Sequence, residues 1–314
     1  MTTEAAITGG AIAIMLYACP AMGQDRTPLV EPDTAFRDLS EGLPGPVSPS
    51  SGTSTVSPSS VPQAMERMND TDTRADLSLG AIYAQGDFGT GSKSTIWSTA
   101  IGARVRAGDL TLSASLPWMR IESRSTIFTG IDATPVLVDT DTSPDRRTAQ
   151  GLGDLTVGAS YTFASSASPV EVELSGRAKI NTATQSSGLS SGKNDYAVGV
   201  DWSVPLGRIT PFASFTYRFL GDTEAYTLRN GSAMSGGASY AVSSDTFVLA
   251  SYHYARSATA LVDDAHELFA GASTRIARSP LRLTGFATAG LSRGAADLSA
   301  GLAVSMGLFN RDAR

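Results

Sequence analysis

One pattern constrains this chain more than any other. From residue 74 onward, apolar and polar residues alternate over stretches too long for an ordinary soluble strand. The segment GLGDLTVGASYTF (151–163) shows it: one phase reads Leu155, Val157, Ala159, Tyr161 and Phe163, the other Asp154, Thr156, Gly158, Ser160 and Thr162. A period of two is a β-strand with one apolar and one polar face. About twelve such segments follow one another, at 74–86, 93–107, 109–121, 152–164, 169–182, 194–206, 209–220, 231–243, 245–256, 266–278, 280–291 and 295–309. Each reaches the roughly nine to eleven residues that a tilted strand needs to cross a bilayer, whereas soluble strands usually run about five or six.

The charges decide which face is wet. The apolar phase reads Leu110, Leu112, Ala114, Leu116, Trp118 in one segment and Val170, Val172, Leu174, Gly176, Ala178, Ile180 in another. Phased across all segments, this face is expected to carry no charged residue. The opposite phase carries Asp76, Arg104, Arg106, Glu171, Glu173, Arg177, Lys179, Asp201, Arg218, Glu267, Arg275 and Asp297. Unpaired burial of such groups in a protein core costs several kcal/mol each, and a watery lumen avoids that cost. The reading is therefore all-β: a transmembrane antiparallel up-and-down β-barrel of about 12 strands, lipid outside and water within. A soluble β-sandwich is the alternative, with the charge-free phase as its core and the strand lengths unexplained.

The connections support the barrel. AGD, SSASP, LGR, SSD and RSP are tight, while DFGTGSK, 122–151, ATQSSGLSSGKN, GDTEAYTLRN and SATALVDDAH are longer. Short periplasmic turns alternating with longer outer loops is the arrangement of bacterial outer-membrane barrels. Tyr83, Trp118, Tyr196, Tyr217, Phe219, Tyr252 and Tyr254 fall near the long-loop ends, and Tyr161, Phe163 and Phe309 near the short-turn ends, as two interface girdles require. Charged residues make up 17% of the chain, below the roughly 25% of a typical soluble protein.

Residues 1–23 read as a signal peptide: an apolar stretch from Ala6, then Ala21 and Gly23 at a cleavage site, although MTTEAA lacks Lys or Arg. A second reading lipidates Cys19, the single cysteine. Residues 24–73 contain the Pro/Ser/Gly-rich EGLPGPVSPSSGTSTVSPSSVPQ and are expected to be a disordered periplasmic linker, with a tail folded back as a plug the sharper alternative. Residues 74–314 then make the barrel.

Three segments, GLGDL (151–155), AKINTATQSSGLSSGKNDYAVGVDWS (178–203) and PFASFTYRF (211–219), resemble the outer-membrane transporter family linked to meta-pathway phenol degradation. Gly153 and Asp154 match its Gly-Asp strand start, and Gly192, Asp195 and Tyr196 match its Gly-rich loop and Asp-Tyr strand start. Asn181 to Thr184 stand where that family has a Pro-Thr-Gly-like segment. The resemblance implies a channel or transporter for small, hydrophobic molecules and supplies no substrate.

The candidate pore-lining residues are Arg104, Arg106, Glu171, Glu173, Arg177, Lys179, Asp201, Arg218, Glu267 and Arg275. They read either as an electrostatic constriction that sorts solutes or as ion pairs that stiffen the wall. The function expected is an outer-membrane channel for small solutes, with outer-membrane lipid as its surroundings; a closed structural or adhesion barrel is the alternative. Gly236 and Gly237 mark either a lateral opening or a bulge. His253 and His266, with Ser251 or Asp264, are the residues a hydrolytic site would recruit, but no nucleophile elbow or phosphate-binding loop accompanies them. No metal-ligand or cofactor spacing is evident. The net charge of −6 and the absence of a basic cluster with interleaved aromatics argue against nucleic acid as a partner.

Overall fold

The computed structural model describes residues 73–311, apart from 89–91, 126, 132–134, 138–144, 146, 166–167, 184–187, 222–227, 261–262 and 277–278. The expected signal peptide, Cys19 and the linker up to residue 72 lie outside the described residues.

The strands in chain order are β1 (Thr73–Gly86), β2 (Ser94–Ala107), β3 (Leu110–Ser123), β4 (Ile127–Thr129), β5 (Pro135–Leu137), β6 (Arg147–Leu152), β7 (Leu155–Ser165), β8 (Ser168–Ile180), β9 (Asp195–Ser203), β10 (Ile209–Phe219), β11 (Gly231–Ala241), β12 (Thr246–Ala255), β13 (Ala265–Arg275), β14 (Leu281–Gly290) and β15 (Leu298–Arg311). Twelve of them, all but β4, β5 and β6, form a closed antiparallel barrel. Each pairs with the next, and β1 pairs with β15 from Thr73↔Arg311 to Gln85↔Leu298. Closure leaves no open sheet edge, the condition for burying strands in hydrocarbon.

Side chains alternate across the wall as the sequence pattern requires. Ile101, in the middle of β2, is 64% exposed, while Ala100 beside it is buried. The same alternation sets Leu298, Leu302, Val304 and Leu308 outward on β15 and Ser299 and Ser305 inward. An outward apolar belt is stable only against lipid, since water would leave it as one large exposed patch. The Ile101→Arg variant is therefore expected to lose about 2–4 kcal/mol of folding free energy in vesicles, the cost of a cation near the bilayer midplane. Urea titration in lipid vesicles reads this, and an unchanged midpoint overturns the placement of β2.

Three expectations change. The outward phase does carry a charge: Arg120 lies on it, 2.7 Å from Glu122. The reason is depth: Arg120 stands opposite Trp97 in register, at the level of the outer aromatic girdle, where an exposed ion pair is solvated. The expected long connection 122–151 holds strands among its described residues, for β4 pairs with β5 and β6 extends the wall by pairing with β3. The expected strand 152–164 appears as β7, and Gly153 and Asp154 separate it from β6, which lies in the expected connection. Pro117 of β3 faces the break, where it has no N–H to give and accepts from the Gly153 amide at 2.8 Å. Finally, β11 is paired without interruption through Gly236 and Gly237 on both edges, so no lateral opening lies there. A Cβ on Gly237 would sit 2.1 Å from the Ala250 carbonyl oxygen, so the strands approach closely at this point.

Candidate functional site

The inward face has distinct zones. In the periplasmic half, β8 and β9 set Glu171, Glu173 and Asp201 together, with Glu173 directly opposite Asp201 in register. Thr162 donates to Glu173 at 3.3 Å. Like charges in direct register destabilise a sheet unless other groups engage them, and all three acids have interaction partners. Strand β2 carries Arg104 and Arg106, and Asp76 of β1 is in register with Arg104. Arg282 of β14 adds a cation, its guanidinium 5.3 Å over the Phe247 ring. The inner wall of this half thus carries both signs of charge, and Asp76, Arg104, Glu171, Glu173, Asp201 and Arg282 all have interaction partners.

The other expected pore residues are placed differently from one another. Arg177 faces inward over Gly158, whose added Cβ would meet its stem at 3.1 Å. Arg218 turns toward the outer rim and donates to the Arg256 carbonyl at 2.8 Å. Arg275 stands at the periplasmic rim, half exposed and 3.8 Å from Asp245 of the β11–β12 turn. Asp297 is exposed in the turn that precedes β15, because the strand begins three residues later than the alternation suggested.

Lys179 does not face open lumen. It is 1% exposed, 2.9 Å from Asp195 and 3.3 Å from Asp154. Asp154 in turn accepts from the amides of Thr182 and Ala183 at 3.1 and 2.9 Å and from Ser190 at 2.6 Å. Lys179 also donates to Ser191 at 3.2 Å, and Asn181 donates to the Gly192 carbonyl at 3.0 Å. The residues that carry the family resemblance therefore converge on one place, where they fasten the loop between β8 and β9 to the wall.

That loop delivers Leu189 into an apolar cluster at the outer mouth. Leu189 and Phe88 are both fully buried there, against Ala84, Ile96, Met119, Ile121, Ile127 and Ala296. Phe88 has φ 47°, a left-handed conformation that costs a non-glycine residue about 1–3 kcal/mol. Burial of its ring offsets that cost. Sequence alternation missed the cluster because Ile96, Met119 and Ile121 lie in the inward phase, and their apolar partners come from loops.

A second apolar zone runs down the inner wall of β12, β13 and β14. Phe247, Leu249 and Phe269 are buried there, with Phe212 and Phe286 packed against them. Phe269 and Phe286 stack at 5.5 Å between ring centroids. Both rings lie flat over glycines: a Cβ on Gly271 would be 3.0 Å from Phe269, and one on Gly301 2.5 Å from Phe286. At the outer end of this strip is Glu267, in register with His253. His253 Nε2 and Ser251 Oγ are 2.8 Å apart. Neither Glu267 oxygen has a hydrogen-bond partner among the described residues, so Glu267 does not orient the Ser251–His253 pair. His266 points outward and bonds to Tyr252. Tyr254, on the same outward face, donates to Asp264 at 2.7 Å. Among the described residues, no three His, Cys, Asp or Glu side chains are grouped to hold a metal ion.

The outer girdle includes Trp97, Trp118, Tyr196, Phe219 and Tyr252, and the inner one Tyr161, Phe163 and Tyr240, all exposed on the outward phase. The side chain of Phe309 lies outside the described residues. The closed twelve-strand barrel, the apolar belt between aromatic girdles and the split between tight turns and long loops define a β-barrel protein of the bacterial outer membrane.

No family model matches the sequence, and no curated protein matches it. Solved structures are similar to the barrel. The KdgM porin in complex with disordered oligogalacturonate is 11% identical, over 73% of this chain and 97% of its own, with a TM-score of 0.44. The translocator domain of autotransporter NalP from Neisseria meningitidis is 11% identical over 79% and 92%, with a TM-score of 0.44. The CymD monoaromatic hydrocarbon channel is 10% identical over 79% and 90%, with a TM-score of 0.39. At these TM-scores the likenesses carry no argument, and the class rests on the barrel itself.

Proposed function

We propose that the barrel is a channel that passes small solutes across the outer membrane, including solutes with an apolar or aromatic body. The observation that carries this reading is the lining of the inner wall: charged residues of both signs, among them Glu171, Glu173, Asp201, Arg104 and Arg282, together with a phenylalanine strip on β12–β14. A solute path uses charge to select and apolar surface to guide, and this wall offers both. Twelve strands also give a bore between those of eight-stranded barrels, filled by side chains, and sixteen-stranded porins. The resemblance of segments 151–155, 178–203 and 211–219 to transporters linked to phenol degradation points the same way. One observation favours a closed structural or adhesion barrel instead: the apolar cluster at the outer mouth.

Planar-bilayer recording on protein refolded in detergent separates the two, with heat-modifiable gel mobility as the check on folding. Discrete conductance steps are expected. The Arg104→Glu/Arg106→Glu double variant is expected to shift the reversal potential toward cation preference, and Glu171→Lys/Glu173→Lys toward anion preference. A folded sample that is silent in bilayers and takes no small solute into liposomes overturns the channel.

A further inference from the structure

Glu267 is the lumen group hardest to explain as wall chemistry. It is 1% exposed on β13, and neither carboxylate oxygen has a hydrogen-bond partner among the described residues. The Ala296 amide lies beside it without hydrogen-bond geometry. An unpartnered buried carboxylate is among the costlier groups a fold can retain. The side chains best placed to satisfy it are engaged with one another. His253, opposite in register, bonds to Ser251 at 2.8 Å, and Thr288 and Ser299 share a hydrogen bond of 2.5 Å.

The surroundings say what would complete it. The next inward residue along β13 is Phe269, stacked on Phe286. The strip continues through Leu249 and Phe247 to Arg282, which closes its other end with a positive charge. A metal ion needs several oxygen or nitrogen ligands, and no such grouping of His, Cys, Asp or Glu is present among the described residues. An organic ammonium brings its own hydrogens and needs one carboxylate. Its positive charge is also attracted to neighbouring aromatic rings.

We propose that the outer end of the β12–β14 wall binds an organic cation with an aromatic or alkyl body, with Glu267 meeting the charge and Phe269 and Phe286 the body. The inference deepens the channel reading by naming a solute class, and it rests on that reading only for the ligand's route to the site. Arg282 fixes the orientation, because it repels the cationic end toward Glu267.

Isothermal titration of the refolded full chain in detergent tests this with two probes of nearly equal shape, 2-phenylethylamine, a cation at neutral pH, and 2-phenylethanol, which is neutral. The amine is expected to bind at least about tenfold more tightly, the worth of a charge-assisted contact in a dry site. Glu267→Gln is expected to erase that preference and leave the alcohol unchanged, and Phe286→Leu to weaken both probes. Equal affinities for the two probes in the unsubstituted protein overturn the proposal, and so does no binding of either. That comparison needs no variant to fold. An amine affinity untouched by Glu267→Gln, in a sample with normal heat-modifiable mobility, overturns it as well. Binding is read without transport, so a protein that discriminates the probes but stays silent in bilayers rejects the channel and keeps the site.

Discussion

A Lys179→Met variant is expected to lose about 3–5 kcal/mol of stability, the usual cost of removing one partner from a buried ion pair. Methionine keeps much of the stem volume, so the loss is electrostatic rather than a cavity effect. Lys179 is 1% exposed and lies within 3.3 Å of both Asp154 and Asp195. Without it, two carboxylates face each other at the base of the loop between β8 and β9. They are not equally exposed to the loss, because Asp154 keeps the amides of Thr182 and Ala183 while Asp195 keeps the Gly221 amide at 3.0 Å. Asp195→Asn added to Lys179→Met is therefore expected to recover part of the stability by removing the repulsion. The temperature at which the folded gel band disappears reads both effects, and protease cutting within 181–194 reads the loosened loop. An unchanged transition in Lys179→Met means the network does not hold the loop.

The second large effect concerns the outer mouth. Phe88→Ala removes a fully buried ring, which costs about 3–5 kcal/mol in a packed core. Here the cost falls on the closed arrangement of the mouth, because Phe88 belongs to a loop rather than to the barrel ladder. Relief of its left-handed backbone returns little, since alanine at φ 47° is strained too. A shift of about 3 kcal/mol moves an open–closed equilibrium more than a hundredfold. Bilayer recordings of Phe88→Ala are therefore expected to show longer and larger openings than the unsubstituted protein, and Leu189→Ser is expected to act in the same direction. Identical traces from a folded Phe88→Ala sample mean that the cluster does not control the bore.

Much of the barrel was legible in the sequence because its physics is local. A strand between lipid and water must alternate, so Leu155 to Phe163 declare their face without reference to any other strand. Tight turns declare themselves through Gly, Pro, Ser and Asp at short spacing. The mouth and the aromatic strip were less legible, because alternation sorts residues by polarity and treats every apolar side chain as facing lipid. Phe247, Phe269 and Phe286 break that rule by pointing inward, and only their register across β12–β14 reveals that they meet. Lys179 was legible as an inward charge but not as a buried one, since its enclosure depends on a loop that returns from twelve residues away, at Ser191. Arg120 misled for a simpler reason: periodicity reports a face and not where the membrane stops.

The β1–β15 pairing has a consequence for assembly. Every other pairing of the barrel joins strands that follow one another in the chain, five of them across a tight turn, so those hairpins can form as the chain is delivered. The pairing of Ala75 with Phe309 and of Gln85 with Leu298 brings together the two remotest strands, and nothing can seal the wall before β15 arrives. Until then two unsatisfied edges stand open, the most aggregation-prone state this chain passes through. That seam therefore carries the largest loop-closure entropy of any pairing in the barrel.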